Sequence, residues 1–183
     1  MKFAIKKATD CLLAGGIIAY PTESVYGLGC DPQNIKAVHR LVSLKNRSIN
    51  KGLILVAANF DQLLPYLAEI DFITYEKVMN TWPGPTTWLL PCNQNAPKYL
   101  RGHFNLQAVR ISNHPVVESL CLHFGGAIVS TSANKSGRPA TKTALQVRHI
   151  FSNNIDYIVN GKLGGINRPS KIINVITNKV VRQ

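Results

Sequence analysis

The chain has 183 residues, 45% of them hydrophobic, with 13 Gly and 10 Pro. That length and balance fit one globular domain that buries its own core, and exclude collagen-like, coiled-coil and disordered chains. Twenty-one Lys and Arg against nine Asp and Glu leave a net charge of +12, which points to polyanionic ligands: nucleotides, RNA or anionic lipid.

The first apolar segment follows Lys2, Lys6 and Lys7 and superficially resembles a signal peptide. Asp10 and Gly15-Gly16 break it into a helix over about 3–14 and a strand over 17–20. Asp31-Pro32 reads as an N-cap and first helical residue, opening a helix to about Leu44. Ile35, Val38, Leu41 and Val42 share its inner face. A buried strand follows at Leu53–Ala57, then helical segments near 60–67 and 71–81. Trp82-Pro83-Gly84-Pro85 is a rigid turn.

Further strands are predicted at Thr87–Leu90, Gln107–Ile111, Ala127–Ser130, Tyr157–Val159, Ile172–Ile176 and Lys179–Arg182. His114-Pro115 opens a helix through about Phe124, and another covers 142–151. Interleaved strands and helices define an α/β chain with a mixed sheet. No apolar run reaches transmembrane length, so the reading is a soluble, cytoplasmic protein without membrane contact. Cys11, Cys30, Cys92 and Cys121 lie far apart, which fits buried free thiols and not a zinc site or a disulfide framework.

The charge is uneven. Residues 1–91 carry nine basic and seven acidic side chains; residues 92–183 carry twelve basic and only Glu118 and Asp156 as acids. Five loop segments concentrate small and polar residues: Tyr20–Gly29, Lys45–Lys51, Trp82–Thr87, Val109–Pro115 and Ser130–Arg138. Loops after strands gather at the carboxyl edge of an α/β sheet, where ligands bind. Ser130–Gly137 offers hydroxyls, an amide and a glycine suited to an anion, or to capping a helix. Lys45, Arg47 and Lys51 either complement a helix C-terminus or neutralise a triphosphate. Arg110, in a strand, needs an anionic partner: a ligand carboxylate, Glu23 or Glu118. There is no GxxxxGK[ST] or GxGxxG sequence and no recognisable Ser-His-Asp set.

These loops together resemble the YrdC-like family over essentially the whole chain. Tyr20–Gly29 is similar to its YPTETVYGLG signature, with Ser24 for Thr. Lys45-x-Arg47 resembles its KxR pair and Ser132-x-Asn134 its SxN pair. Trp82–Pro85, Val109–Pro115 and Arg168-Pro169-Ser170 also correspond. The chain departs from the pattern at Val56, Thr86, Leu106 and Ser170-Lys171-Ile172.

The resemblance implies a single domain over 1–183, an open twisted mixed sheet flanked by helices with a positively charged concave face. It implies L-threonylcarbamoyladenylate synthesis from L-threonine, bicarbonate and ATP with Mg²⁺. The product would pass to TsaB-, TsaD- and TsaE-type proteins for modification of tRNA beside the anticodon. By family match, Thr22, Arg110, Ser130 and Ser170 would hold threonine. Arg47, Lys51, Ser132, Asn134 and Arg182 would hold ATP. Lys45 would sit at the carboxylation centre, with Lys45, Arg47, Ser132 and Asn134 as the catalytic set. Two alternatives stand beside this: a non-catalytic module binding double-stranded or ribosomal RNA on the basic face, and the carbamoyl-adenylate chemistry of hydrogenase maturation factors.

Overall fold

Apolar residues at alternate positions of one sheet feed two buried clusters, one on each face. The computed structural model describes residues 1–167 and 170–182. Arg168 and Pro169, part of the closing motif, therefore lie outside the described residues. In chain order the elements are α1 (Lys2–Leu13), β1 (Ile18–Pro21), β2 (Tyr26–Gly29), α2 (Ile35–Leu44), β3 (Ile54–Ala57), α3 (Phe72–Met79) and β4 (Thr86–Pro91). There follow α4 (Lys98–Arg101), β5 (Leu106–Ile111), α5 (Pro115–Phe124), β6 (Ile128–Ser132), α6 (Ala144–Phe151), β7 (Tyr157–Ile158), β8 (Lys171–Asn174) and β9 (Val180–Arg182). The nine strands form one mixed sheet in the order β7-β1-β2-β6-β3-β5-β4-β8-β9.

Ile17, Ala19, Leu55, Ala57, Val109, Ile111 and Val129 enter one cluster with the inner faces of α2, α3 and α6. Their neighbours Ile18, Tyr20, Val56 and Ile128 point the other way, against Ile5, Ala8 and Leu12 of α1 and Val116, Val117 and Leu120 of α5. This is the period of two that a strand imposes. The α1/α5 layer covers only the β1–β6–β3 side of its face. Beyond it, Leu89, Leu106, Ala108, Ile172 and Asn174 of β4, β5 and β8 line an open cavity. This larger cavity opens on that uncovered half.

Local chemistry sets the boundaries. His114 caps α5 by accepting from the Val116 N–H, Pro115 occupies the first turn, and left-handed Gly125 (φ 81°) ends it. At α2 the expected start is corrected. Asp31 makes a turn, its Oδ1 accepting from Gln33 N, and the helix begins three residues later under an Asn34 cap. The segment Asp61–Tyr66 is a 3₁₀ helix, because Pro65 has no N–H to donate to an α ladder. Two elements were not expected: β2, inside the first signature loop, and the single turn α4. All four cysteines are unpaired. No helix among the described residues is long and apolar enough to cross a membrane.

Candidate active site

The first signature loop is a hairpin. β1 pairs antiparallel with β2, Pro21 opposite Tyr26, and the tip is Thr22–Val25. The Thr22 N–H and hydroxyl both donate to the Val25 carbonyl, at 3.1 and 2.7 Å. The two glycines of β2 permit close packing. A Cβ on Gly29 would lie 2.6 Å from the Val129 carbonyl oxygen and 2.9 Å from the Tyr20 ring. A Cβ on Gly27 would lie 3.2 Å from the Thr22 methyl carbon. Gly29 thus lets Tyr20, wholly buried, sit flat under the hairpin beside β6.

Register brings the hydroxyls and the arginine together. Gly27 pairs with Ser132 across β2–β6, Ile54 with Ser130 across β3–β6, and Val56 with Arg110 across β3–β5. Thr22, Arg47, Arg110, Ser130, Ser132, Ser170 and Arg182 line one cavity of about 210 Å³. Arg110 is 8% exposed and Glu23, behind it, 4%. Arg110 Nη2 lies 3.4 Å from Glu23 Oε2, an ion pair without hydrogen-bond geometry. Among the described residues neither that oxygen nor Arg110 Nε has a hydrogen-bond partner. The other carboxylate oxygen of Glu23 accepts from Ser112 Oγ at 2.6 Å, and that hydroxyl accepts from His114 N at 3.1 Å. Arg110 therefore keeps donors free for an anion entering the cavity.

The opposite wall is cationic. Arg182 Nη2 donates to the Ser170 carbonyl at 2.9 Å and to its hydroxyl at 3.1 Å, and Thr87 Oγ1 donates to the same hydroxyl at 3.1 Å. Arg47 donates to the Gly52 carbonyl at 3.0 Å, leaving its buried Nε without a partner. Burial, then the nearby charges of Arg110 and Arg47, pull the Arg182 guanidinium below its ordinary value. Mutual repulsion of three arginines marks a site built to receive negative charge. Arg47 and Arg182 also border an adjoining cavity of about 580 Å³. Its floor is apolar, with Leu53, Ile54, Leu89, Leu106 and Ala108, and its rim carries Lys51 and Arg101.

Lys45 and Asn134 stand just behind this lining. Lys45, 3% exposed, gives its ammonium protons to the carbonyls of Ser132 and Asn134 (2.7 Å to the latter) and to Asn134 Oδ1 at 3.3 Å. Asn134 Oδ1 also accepts from Ser132 Oγ at 2.6 Å, and its amide donates to the carbonyls of Lys135 and Arg138. Lys45 of the KxR pair and both members of the SxN pair thus form one clasp that shapes the loop after β6, while Arg47 turns to the Gly52 carbonyl. Burial, then the Arg47 charge, lowers the Lys45 ammonium to about 8.

Of the ten candidate residues, seven line the smaller cavity, Lys51 lines the adjoining one, and Lys45 and Asn134 brace the loop after β6 beside the smaller cavity. Of the alternatives for Arg110, Glu23 is the residue paired with it. Val56, where the family pattern is broken, is fully buried under α5, whereas Leu106 lines the larger cavity. Sequence reasoning reached Ser112 only as part of the Val109–Pro115 loop and did not find Arg101, an arginine in a single helical turn with no signal of its own.

Comparisons with known proteins identify the family and the fold. The Sua5_yciO_yrdC family, described as "Telomere recombination", matches residues 10–183. A threonylcarbamoyl-AMP synthase of Pseudomonas aeruginosa is 46% identical over 180 residues, 98% of this chain and 97% of that protein. One from Nitrosococcus oceani is 48% identical over 168 residues, 92% of this chain and 91% of that protein. Among solved structures, P. abyssi Sua5 complexed with L-threonine superposes with a TM-score of 0.89 at 32% identity, covering 95% of this chain. This chain spans about half, 51%, of that Sua5 chain. E. coli YciO shares the fold, with a TM-score of 0.87 at 24% identity, covering all of this chain and 90% of that one.

Proposed function

Because this chain belongs to the Sua5/YciO/YrdC family, we infer that it is a threonylcarbamoyl-AMP synthase, a nucleotidyltransferase acting on ATP in tRNA modification. The observation that carries the reading is the buried, partly unpartnered Arg110 in a hydroxyl-lined cavity whose other wall is Arg47 and Arg182. A zwitterionic hydroxy amino acid and a polyphosphate fit those two ends.

We assign the threonine carboxylate to Arg110, whose fork matches a carboxylate, and the rest of the amino acid to Thr22, Ser130 and Ser170. That a P. abyssi relative is complexed with L-threonine supports an amino-acid site in this fold. ATP is assigned to Arg47, Lys51, Ser132, Asn134 and Arg182, with the base over the apolar floor near Leu106. The lining offers hydroxyls and guanidinium groups, and Glu23, the one carboxylate bonded to it among the described residues, is turned to Arg110 and Ser112. Such a donor set suits phosphate oxygens better than a bare cation, so Mg²⁺ enters as part of MgATP, the substrate.

The reaction proceeds in two steps. The threonine amine, having lost its proton, attacks bicarbonate and forms a carbamate with loss of water. A carbamate oxygen then attacks the α-phosphorus, the bond to the β-phosphate oxygen breaks, and pyrophosphate leaves. Arg47 and Arg182 stabilise the charge on the phosphates, and Lys45 holds the Ser132–Asn134 loop in the shape that receives them. Catalysis is positioning and charge stabilisation, without a protein nucleophile. We extend the reading to one catalytic unit over 1–183 working in the cytoplasm. It hands its product to TsaB-, TsaD- and TsaE-type proteins, and its basic face around Arg47, Lys51 and Arg101 is where tRNA would dock.

The test is pyrophosphate release from MgATP with threonine or bicarbonate left out in turn. Release that needs both is expected. Release that needs neither, or folded protein that binds RNA and releases none, overturns the reading.

A further inference from the structure

Glu23 does not line the cavity, yet two of its walls converge on it. Its side chain pairs with Arg110 at 3.4 Å and accepts from Ser112 at 2.6 Å. Its main-chain carbonyl accepts from Ile166 N at 2.9 Å, one residue after the Thr22 carbonyl accepts from Gly164 N at 3.0 Å. The segment from Gly161 to Ile166 runs flush against this hairpin tip. A Cβ on Gly164 would lie 3.0 Å from Glu23 Cα, and a Cβ on Gly161 3.0 Å from the Pro21 ring. His114 adds a third tie, its Nε2 lying 3.1 Å from the Lys162 carbonyl while Nδ1 accepts from Val116 N. Nδ1 is therefore the unprotonated nitrogen, and Nε2 donates. Ser170 follows four residues after Ile166 and forms the far wall.

The electrostatics are as one-sided as the geometry. Arg47, Arg110 and Arg182 converge on one cavity. Among the described residues Glu23 is the acid paired with any of them. The carboxylate sits where it compensates Arg110 alone. It is held by Ser112 on one oxygen and leaves the other in ion-pair contact. A buried guanidinium without that partner is an uncompensated charge that recruits whatever anion is at hand.

We infer that Glu23 is the positioning residue of the amino-acid cavity. It fixes the Arg110 fork, keeps that end of the cavity close to neutral so that polyphosphate is directed to Arg47 and Arg182, and ties the Arg110 wall to the segment leading to Ser170. This rests on the assignment of threonine to the Arg110 end. Glu23 acts through Arg110 and touches no reacting atom.

The test compares wild type with Glu23→Gln, which keeps the shape and an acceptor for Ser112 but removes the charge. The threonine KM is expected to rise about tenfold or more, the scale of one charge-assisted contact. kcat falls by much less, and the ATP KM stays within about twofold. Pyrophosphate, added as the probe anion, becomes competitive with threonine in the variant and not in wild type. A purely structural role would lower kcat and stability without creating that competition. Ser112→Ala, which loosens the same carboxylate without removing it, gives a smaller rise in the same KM and serves if Glu23→Gln does not fold. A threonine KM unchanged in both variants, or a loss confined to kcat, overturns the inference. The wild-type requirement for threonine and bicarbonate decides the functional reading separately.

Discussion

Lys45 Nζ lies 2.7 Å from the Asn134 carbonyl oxygen, and every other hydrogen-bond partner of that ammonium is likewise an oxygen of the Ser132–Asn134 loop. Among the described residues no carboxylate bonds it, so a charge is buried against neutral dipoles. Burial, helped by Arg47, holds its pKa near 8, below the ordinary 10.5. The sign follows. Below pH 8 Lys45 is charged in folded and unfolded chain alike. Between pH 8 and 10.5 the unfolded chain binds the proton and the folded chain does not, so this group adds stability as pH rises. Lys45→Met deletes that contribution. The difference in unfolding free energy between wild type and variant should therefore grow with pH over that window, by at most about 3 kcal/mol. Urea unfolding of both proteins at pH 7.5, 9 and 10.5 measures it, and a flat difference would contradict the burial of the charge.

Arg110 supplies a planar fork with its Nε unpartnered. Lysine keeps the charge but not the fork. Arg110→Lys should raise the threonine KM about tenfold to a hundredfold, the range of one lost bidentate contact, and leave the ATP KM within about twofold. Steady-state pyrophosphate release with each substrate varied alone separates the two. An equal rise in both KM values would mean that Arg110 faces the nucleotide instead.

Much of this architecture was legible, and the exceptions are instructive. Leu53–Ala57 announced its strand as a short continuous apolar run, four of its five residues buried. Tyr26–Gly29 did not, since two of its four residues are glycines with no strand preference. It is a strand because β1 and β6 hydrogen-bond it from both sides. Asp31-Pro32 misled because an Asx turn and a helix cap use the same side chain. At the site, residue types pointed to Arg110 and to the hydroxyls, and the family motifs to the rest. Glu23 was among the partners the residue types offered for Arg110; that it and not Glu118 answers Arg110 across a sequence separation of 87, and that Lys45 braces the loop after β6, depends on strand register that no local pattern encodes.

Gly29 makes that register possible. A methyl there meets backbone, the Val129 carbonyl at 2.6 Å, and a fully buried Tyr20 ring at 2.9 Å. Neither can rotate away. Gly29→Ala should cost about 2 kcal/mol or more by overpacking, seen as a drop of several degrees in the thermal midpoint. Gly125→Ala has empty space around its Cβ and loses only through its left-handed φ of 81°, so it should cost less, about 1 kcal/mol. Equal losses in the two variants would mean that the β2–β6 approach is looser than described.

Asn134 separates site geometry from fold stability. Its side chain ties Ser132 Oγ, Lys45 Nζ and the carbonyls of Lys135 and Arg138 into one turn. Ser132 and Asn134 lie at the surface or close to it, so water replaces most of what Asn134→Ala removes. The stability cost should stay under about 1 kcal/mol. The turn nonetheless loses the group that fixes the Ser132 hydroxyl and one of the Lys45 acceptors, and the phosphates then meet an unformed cradle. The ATP KM is expected to rise about tenfold while the threonine KM moves less than about twofold, the reverse of the Arg110→Lys pattern. Lys45→Ala, which removes the clasp from the other side, should lose at least as much kcat/KM for ATP. Full pyrophosphate release from that variant would show that the clasp is structural only and has no part in receiving ATP.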